Sequence, residues 1–347
     1  MSNSNKQYCF TNSGEDIYLF TLSNSKGTEV CITNYGATIT SFTVVQKDGT
    51  KNNIVLGFDK VEEYMGKDYL KANPYFGAAV GRYGNRIKSG KFSIDGKEYS
   101  VKTNLGTEHL HGGTIGFDKR VWKVDSFSQN ILTLSYHSPD GEEDYPGNLD
   151  VTIKYELSEN DELSNTFSAV TDKPTAINLT HHSYFNLDNG KGFIDDHLVK
   201  INGSAILEQD ETLTVTGKLI PVDNTPYDFR QFKRINTNWN TTTGYDQSFV
   251  IDNPDINTPA AEAYSERSGL RLQIFTSEPI VHLYTGVGIP TLTGKGGQKY
   301  GAFAGFCLET QIHPNAINIP AFPNTVLRPG ETYHHKTVYK ITRAPEK

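Results

Sequence analysis

The feature that most constrains the fold of this chain is an alternation of apolar and polar residues with a period of two. It is clearest in residues 151–157, where Val, Ile, Tyr and Leu alternate with Thr, Lys and Glu, and it recurs in residues 132–136 and 270–274. Successive side chains of a β-strand point to opposite faces of the sheet, so this pattern predicts strands with one buried face. Many such strands in one chain predict an all-β protein.

Turn signals separate the predicted strands. Asp95 and Gly96 lie between two short strand-like runs, and this pair predicts a two-residue hairpin. The Asp-Gly pairs at residues 48–49 and 140–141 give similar hairpin signals. Closely spaced turns of this kind are typical of antiparallel sheets, whose neighbouring strands need only short connections.

Helical patterns are scarce by comparison. Residues 59–65 predict a short helix, and residues 259–264 predict one helical turn that begins with a proline. No long amphipathic helix, internal repeat or low-complexity linker is evident. We therefore expect one large antiparallel β-sandwich with a few short helices, formed by residues 1–347 as a single domain.

Composition and charge narrow the classes of function. A formal net charge of −7 argues against nucleic acid or an anionic membrane surface as the main partner. No stretch approaches the roughly 20 apolar residues of a membrane-spanning helix, and the polar N-terminus lacks the pattern of a secretory signal. The three cysteines do not suggest a disulfide framework, so we expect a cytoplasmic protein.

Two adjacent histidines are the first candidates for chemistry. His181 and His182 lie in a strand-like run, residues 178–187. On a strand their side chains point to opposite faces, so one imidazole can face a cleft while the other faces the interior or the solvent. Because histidine readily carries a proton near neutral pH, this run is a candidate for acid–base catalysis.

A single acidic residue in an apolar strand is the second candidate. Glu309 lies within residues 305–313, among mostly apolar or neutral side chains. A glutamate is rarely buried unless it is paired or functional, and a desolvated carboxylate is a better base. We therefore favour a functional role for Glu309 over the alternative, which is a solvent-facing position on a strand with one buried face.

Two histidines near a pair of glycines leave several interpretations open. On an extended segment His109 and His111 would point the same way, and Gly112 and Gly113 would let a ligand approach the backbone. The segment fits a ligand-facing histidine, two ligands of a zinc site, or a turn with two solvated histidines.

Charged residues in two other loops are candidates for binding polar ligands. Arg82 and Arg86, within residues 81–86, offer guanidinium forks suited to hydroxyls or a carboxylate; the alternative is a surface loop with solvated arginines. Asp246 can accept hydrogen bonds from two adjacent sugar hydroxyls, or can instead stabilise a turn. The sequence lacks a Gly-x-Ser-x-Gly elbow, a Walker loop and a Cys-x-x-Cys pair, so serine-nucleophile, phosphoryl-transfer and thiolate-zinc chemistry are disfavoured.

Taken together, these segments resemble the aldose 1-epimerases, also called galactose mutarotases. The likeness extends from residues 34–38 to residues 327–331. One short motif would be weak evidence, but several in the same order are specific. The matching segments are residues 81–87, 110–113, 178–187, 228–230, 244–246, 283–286 and 307–311. The resemblance implies a large antiparallel β-sandwich, the galactose mutarotase-like supersandwich, with the sugar in a cleft across one sheet.

The resemblance also implies an activity and a set of site residues. The family interconverts the α and β anomers of free hexoses such as galactose and glucose, and it uses neither a metal nor an organic cofactor. By this likeness Glu309 is the general base and His182 the general acid. The expected partner is therefore a hexose, bound by a monomer or homodimer. The residues expected to bind the sugar are Asn85, Arg86, His111, Ser183, Tyr184, Asp246 and His282.

Four positions depart from the family pattern. Asparagine is common at the positions of His181 and Val287, histidine at that of Gln247, and glutamine at that of His282. An imidazole in place of an amide changes the donors of a pocket, so these changes bear on the preferred sugar.

Three other functions remain as alternatives. The first is a non-catalytic carbohydrate-binding β-sandwich, which would not need both Glu309 and His182. The second is a zinc hydrolase that uses His109, His111 and another histidine, and the third is a glycosidase that uses Glu309 and Asp246 as its carboxylate pair.

Overall fold

The computed structural model describes residues 5–343, and antiparallel strands make up most of its regular structure. The strands in chain order are β1 (Lys6–Asn12), β2 (Glu15–Ser23), β3 (Glu29–Thr33), β4 (Thr38–Val45), β5 (Lys51–Asn53), β6 (Ala79–Val80), β7 (Arg86–Ile87), β8 (Lys91–Ile94), β9 (Lys97–Ser100), β10 (His109–Leu110), β11 (Lys123–Phe127), β12 (Ile131–Ser138), β13 (Leu149–Leu157), β14 (Glu162–Thr171), β15 (Thr175–Ala176), β16 (Thr180–His181), β17 (Leu198–Ile201), β18 (Ala205–Gln209), β19 (Val215–Pro221), β20 (Lys233–Arg234), β21 (Asp246–Val250), β22 (Pro259–Tyr264), β23 (Leu270–Thr276), β24 (Ile280–Tyr284), β25 (Leu292–Thr293), β26 (Lys299–Tyr300), β27 (Cys307–Gln311), β28 (Val326–Leu327) and β29 (Tyr333–Arg343).

Helical structure in the described part of the chain is limited to one short α-helix, α1 (Lys67–Ala72), and a set of 3-10 turns. Those turns are Val61–Met65, Lys88–Gly90, Phe117–Lys119, Glu142–Asp144, Lys295–Gly297 and Ala316–Asn318. Within residues 5–343 no helix has the length and apolar character needed to cross a membrane. The sequence expectation about a secretory signal falls partly on residues 1–4, which lie outside the described residues.

Three sheets carry the fold. The first contains β1 to β5 in chain order. The second has nine strands in the order β11-β12-β13-β14-β29-β23-β22-β17-β20, and the third has five in the order β19-β18-β21-β24-β27. The largest cluster of buried apolar residues draws members from all three sheets, including Phe20, Ile153, Phe249 and Leu283. The sheets therefore pack face to face around a shared core, which is the predicted sandwich.

The period-two segments form the strands that the sequence predicts. β13 alternates buried and more exposed residues along its whole length, as do β12 and β23 over most of theirs. Asp95 and Gly96 both have positive φ and join β8 to β9 with Ile94 opposite Lys97, so the two-residue hairpin is confirmed. The pair at residues 48–49 also lies in a hairpin, between the paired strands β4 and β5.

Two local expectations are wrong. Residues Pro259–Tyr264 form β22, which pairs with β17 and β23, and not a helical turn. Ala and Glu favour a helix, but pairing on both sides of the segment outweighs that weak preference. The pair at residues 140–141 does not form a two-residue hairpin, since β12 and β13 are joined by residues 139–148 with a 3-10 turn at Glu142–Asp144. The predicted short helix near residue 60 is present as the 3-10 turn Val61–Met65.

Candidate active site

A cleft of about 450 Å³ lies across one face of the third sheet. Strands β21, β24 and β27 are neighbours in that sheet, and each contributes a polar side chain to the cleft. Strand β7 and the segments next to β7, β10 and β16 supply Arg86, Asn85, His111 and His182. The polar and aromatic residues that line the cleft include Tyr75, Asn85, Arg86, His111, His182, Tyr184, Asp246, His282, Tyr284 and Glu309.

Glu309 and His182 meet at the floor of the cleft. Glu309 lies in the middle of β27 and His182 directly follows β16, and both side chains are almost completely buried. The distance from His182 Nε2 to Glu309 Oε1 is 3.6 Å. Glu309 Oε2 has no hydrogen-bond partner among residues 5–343. A buried carboxylate oxygen without a partner is costly, so this end of the cleft retains hydrogen-bonding capacity for a ligand.

Aromatic rings fix the plane of the His182 imidazole. Tyr75 stacks on it with ring centroids 5.6 Å apart, and Tyr184 lies against it at 5.0 Å. Its Nδ1 is 3.4 Å from the Cys307 sulfur, and this contact leaves Nε2 directed at Glu309. Burial, followed by the charge of Glu309, raises the pKa of the Cys307 thiol well above its usual value, so the sulfur stays uncharged.

His111 has a defined tautomer. Its Nδ1 accepts a hydrogen bond from the backbone N–H of Asn85 at 3.1 Å, so a neutral ring must carry its hydrogen on Nε2. Burial, with smaller contributions from His182 and Arg86, lowers the pKa of His111 well below its usual value and keeps the ring neutral. His111 therefore presents an N–H donor to the cleft.

The same tautomer bears on metal binding. One nitrogen from each of His111 and His182 and one oxygen of Glu309 lie within 4.8 Å of one another, a spacing that could hold a cation. A metal ligand must offer a lone pair, and in His111 the Nδ1 lone pair is already used while Nε2 carries hydrogen. The donor set is thus better suited to hydrogen bonding than to three-ligand metal coordination.

His109 and His111 do not point the same way, which corrects the sequence expectation. His111 has a positive φ and turns into the cleft, whereas His109 is fully buried behind it. His109 contacts the Lys102 carbonyl through Nδ1 at 2.6 Å and the Tyr145 hydroxyl through Nε2 at 2.6 Å. Both of its nitrogens are used, so the pair forms neither a two-histidine zinc site nor a solvated turn.

Asp246 forms, with Arg86 and His282, a second group of polar side chains in the cleft, the anchoring end, and His282 is directly opposite Glu309 in the pairing of β24 with β27. Its Oδ2 is 3.8 Å from Arg86 Nη2, and its Oδ1 is 2.8 Å from His282 Nε2. Burial favours the neutral acid, but the hydrogen bond and charge of His282, followed by Arg86, outweigh it and lower the pKa of Asp246. Asn85 supports this end because its Oδ1 accepts the Arg86 backbone N–H at 2.9 Å.

Arg82 and Arg86 are both buried, so neither is the solvated surface arginine of the alternative interpretation. Arg82 points away from the cleft and holds residues 138–147 through the Ser138 hydroxyl at 2.9 Å and the Gly147 carbonyl at 2.9 Å. In that loop Glu143 accepts the backbone N–H of Thr114 at 2.9 Å. Arg82 thus supports the glycine loop beside His111 indirectly.

Glycine is required in that loop. Gly112 has a φ of +85°, and a Cβ there would lie 1.8 Å from the Gly81 carbonyl oxygen. Any other residue would push apart the segments that carry His111 and Arg86. The two glycines after His111 therefore serve close packing of the backbone.

His181 and Ser183 face away from the cleft on either side of His182. The Ser183 hydroxyl is 3.2 Å from His181 Nδ1, and neither residue lines the cavity. Ser183, one of the expected binding residues, is therefore not among the side chains that line the cleft. Burial, with a smaller contribution from His182, lowers the pKa of His181 to about 3, so that ring is neutral.

Sequence reasoning missed four residues of the site. Tyr75 and Tyr284 line the cleft, Cys307 contacts His182, and Ser248 bonds to His282. Ser248 and Cys307 lie within segments whose acidic residues drew attention, and strand periodicity places each on a definable face. Tyr75 lies in a loop with positive φ and carries no sequence signal.

Comparisons with known proteins agree on one family. The family model for aldose 1-epimerase matches residues 18–340. The galactose mutarotase of Sus scrofa is 42% identical over 297 residues, covering 84% of this chain and 85% of that protein. The aldose 1-epimerase of Escherichia coli is 31% identical over 337 residues, covering 94% of this chain and 96% of that protein.

A solved structure shares the fold. The crystal structure of an aldose epimerase homologue from C. elegans superposes with a TM-score of 0.88 at 30% identity. The match covers 94% of this chain and 99% of that chain. The arrangement of sheets is therefore that of galactose mutarotase-like proteins.

Proposed function

Since this chain belongs to the aldose 1-epimerase family, we propose that it interconverts the α and β anomers of free hexoses such as galactose and glucose. The single observation that carries the proposal is the contact of 3.6 Å between His182 and Glu309 on the floor of the cleft. The anomeric carbon of a hexose bears both the C1 hydroxyl and the ring oxygen. Because Glu309 and His182 are adjacent, one can exchange a proton with the C1 hydroxyl while the other exchanges a proton with the ring oxygen.

Glu309 acts as the general base and His182 as the general acid. Glu309 accepts the proton of the C1 hydroxyl while the protonated His182 donates a proton to the ring oxygen. The bond between C1 and the ring oxygen breaks, and C1 becomes the carbonyl carbon of the open-chain aldehyde. After rotation about the C1–C2 bond, Glu309 returns its proton, His182 takes its proton back, and the ring closes as the other anomer.

The other polar residues bind the sugar. His111 donates from Nε2 to an oxygen near the anomeric carbon, since its Nδ1 is tied to the Asn85 backbone. Arg86 and Asp246 bind hydroxyls remote from that carbon, and Tyr184 and Tyr75 hold the His182 ring in place. A binding protein needs only such anchors, so the Glu309 and His182 pair favours an enzyme over a carbohydrate-binding module.

Polarimetry with freshly dissolved α-D-galactose tests the proposed function. We expect micromolar protein to speed the approach to the equilibrium rotation well beyond the rate in buffer alone. Heat-denatured protein at the same concentration is the control for buffer and surface effects. No acceleration with galactose or glucose would contradict the proposal.

We also propose a cytoplasmic enzyme that is a monomer or homodimer and has no nucleic-acid or membrane partner. The three cysteines are all unpaired and the net charge is −7, which supports a reducing compartment and a small neutral substrate. Light scattering after size-exclusion chromatography tests the assembly state, and a mass of three subunits or more would contradict it.

A further inference from the structure

A hydrogen-bonded chain of three side chains lies along the anchoring end of the cleft. Ser248 on β21 is directly opposite His282 on β24, and Asp246 is two residues earlier on β21. The Ser248 hydroxyl is 2.9 Å from His282 Nδ1, and His282 Nε2 is 2.8 Å from Asp246 Oδ1. His282 is 3% exposed, so both contacts are shielded from water.

The chemistry of Asp246 sets the direction of the hydrogen bonds. An ionised carboxylate only accepts, so His282 must donate from Nε2. The Ser248 hydroxyl can give its hydrogen to Nδ1 or accept one from it, and it therefore occupies the second ring nitrogen in either case. Both nitrogens of His282 are used within the protein, so His282 has no polar atom left for a sugar hydroxyl.

The contact with His282 decides how Asp246 is held. The guanidinium near its carboxylate, Arg86, is 3.8 Å away, which is beyond hydrogen-bond distance. The bond from His282 is thus the short contact that fixes the carboxylate, and it occupies one oxygen while Oδ2 stays directed into the cleft beside Arg86. A carboxylate fixed in advance loses less entropy when it binds a ligand.

We infer that His282 is a positioning residue that aims the Asp246 carboxylate at the sugar, and that it does not itself contact the sugar. This inference rests on the proposed function for the identity of the ligand. It assigns His282 a role different from the direct binding that the sequence implied. Ser248 in turn holds the His282 ring through the contact with Nδ1, and so acts on the sugar only through His282 and Asp246.

A double-mutant cycle tests the inference, with the Kd for D-galactose measured by calorimetric titration. Because a hydrogen bond to a charged group is lost, His282→Ala should raise Kd about 10- to 100-fold. His282→Gln, whose amide can still donate to Asp246, should restore most of the affinity. If His282 acts only through Asp246, adding His282→Ala to Asp246→Ala should change Kd little further.

The matched control is a histidine and aspartate pair at the surface. His137 Nδ1 is 2.7 Å from Asp150 Oδ1, the His137 side chain is 60% exposed, and neither residue lines the cleft. His137→Ala should leave Kd unchanged. The melting temperature of each variant shows whether it is folded.

Three results would overturn the inference: an unchanged Kd in His282→Ala, equal impairment of His282→Gln and His282→Ala, or effects that multiply in the double variant. The binding measurement does not depend on turnover. A wild-type protein that binds galactose without accelerating mutarotation would contradict the proposed function and leave the test of His282 intact.

Discussion

The two carboxylates of the cleft, Glu309 at the reacting end and Asp246 at the anchoring end, are held in different ways. At the reacting end, Glu309 and His182 are 3.6 Å apart, and Glu309 Oε2 has no partner in the described part of the chain. At the anchoring end, Asp246 is bound by His282 at 2.8 Å, and His282 is bound by Ser248 at 2.9 Å. One carboxylate thus keeps an oxygen without a partner, while one oxygen of the other is already bonded, although the buried Arg86 Nε beside Asp246 also has no partner within residues 5–343.

Proton transfer and sugar binding therefore fall to different residues of the cleft. Proton transfer requires groups whose lone pairs and hydrogens are not already committed, while binding benefits from groups held in place before the ligand arrives. Substitutions at the reacting end should therefore act on kcat, and substitutions at the anchoring end should act on KM.

The largest effect is expected for Glu309→Gln. The amide keeps the size of the side chain but cannot accept the proton, so kcat should fall about 10²- to 10⁴-fold with the fold intact. Polarimetry on equal amounts of folded protein measures it. Glu278 is a matched control, because it is buried outside the cleft and burial raises its pKa to about 7. Glu278→Gln should keep the wild-type kcat. A fully active Glu309→Gln variant would show that Glu309 is not the general base.

A loss of similar size is expected for His182→Asn. Asparagine is polar but cannot supply the proton to the ring oxygen, so we expect kcat to fall about 10²- to 10⁴-fold. Because both groups act in one step, the Glu309→Gln and His182→Asn double variant should be little slower than either single variant. Fully multiplicative losses would show that the two residues act independently.

A smaller effect on a different constant is expected for Asp246→Ala. Loss of an anchoring carboxylate should raise KM about 10- to 100-fold and change kcat much less. Initial mutarotation rates over a range of galactose concentrations separate the two constants. Asp150→Ala at the exposed surface is the control. A fall in kcat with an unchanged KM would contradict the proposal that Asp246 binds the sugar and takes no part in proton transfer.

The smallest effect on activity is expected for His181→Asn, since His181 faces away from the cleft. Its effect should appear in stability instead. The pKa of His181 is about 3 in the folded protein, against about 6.5 in an unfolded chain. Between these values only the unfolded chain takes up the proton, so His181 contributes stability above about pH 6.5 that is lost on acidification.

The melting temperature should therefore fall less between pH 7 and pH 4.5 in His181→Asn than in the wild type, as a direct consequence of that pKa difference. Burial also lowers the pKa of His313 and His335 to about 4, so part of the acid sensitivity should remain. An unchanged pH dependence would show that His181 is not buried in its neutral form. A large loss of kcat would place His181 in the catalytic set.

The sequence predicted the strands well because a buried face leaves a direct trace in the residue pattern. It failed at Pro259–Tyr264, because this segment forms β22 and its pairing with β17 and β23 on either side overrides the local preference for a helix. The two-residue hairpin expected at residues 140–141 was also wrong, because an Asp-Gly pair indicates a turn but not the length of the connection, which here is residues 139–148.

The candidate site was predictable where a residue type was itself unusual. Glu309, an acidic residue in an apolar strand, and His182, one of two adjacent histidines in a strand-like run, are such cases. The contact between Ser248 and His282 joins residues 34 positions apart, and the stacking of Tyr75 on His182 depends on a loop. Contacts of this kind arise from tertiary packing, so no local pattern reports them.

A structure of the protein with bound galactose would show directly which oxygens meet Glu309 and His182. We expect the C1 hydroxyl within hydrogen-bond distance of the Glu309 carboxylate, the ring oxygen beside His182 Nε2, and a hydroxyl remote from C1 on Asp246. A sugar bound with its anomeric carbon at Arg86 and Asp246, away from Glu309 and His182, would contradict this expectation.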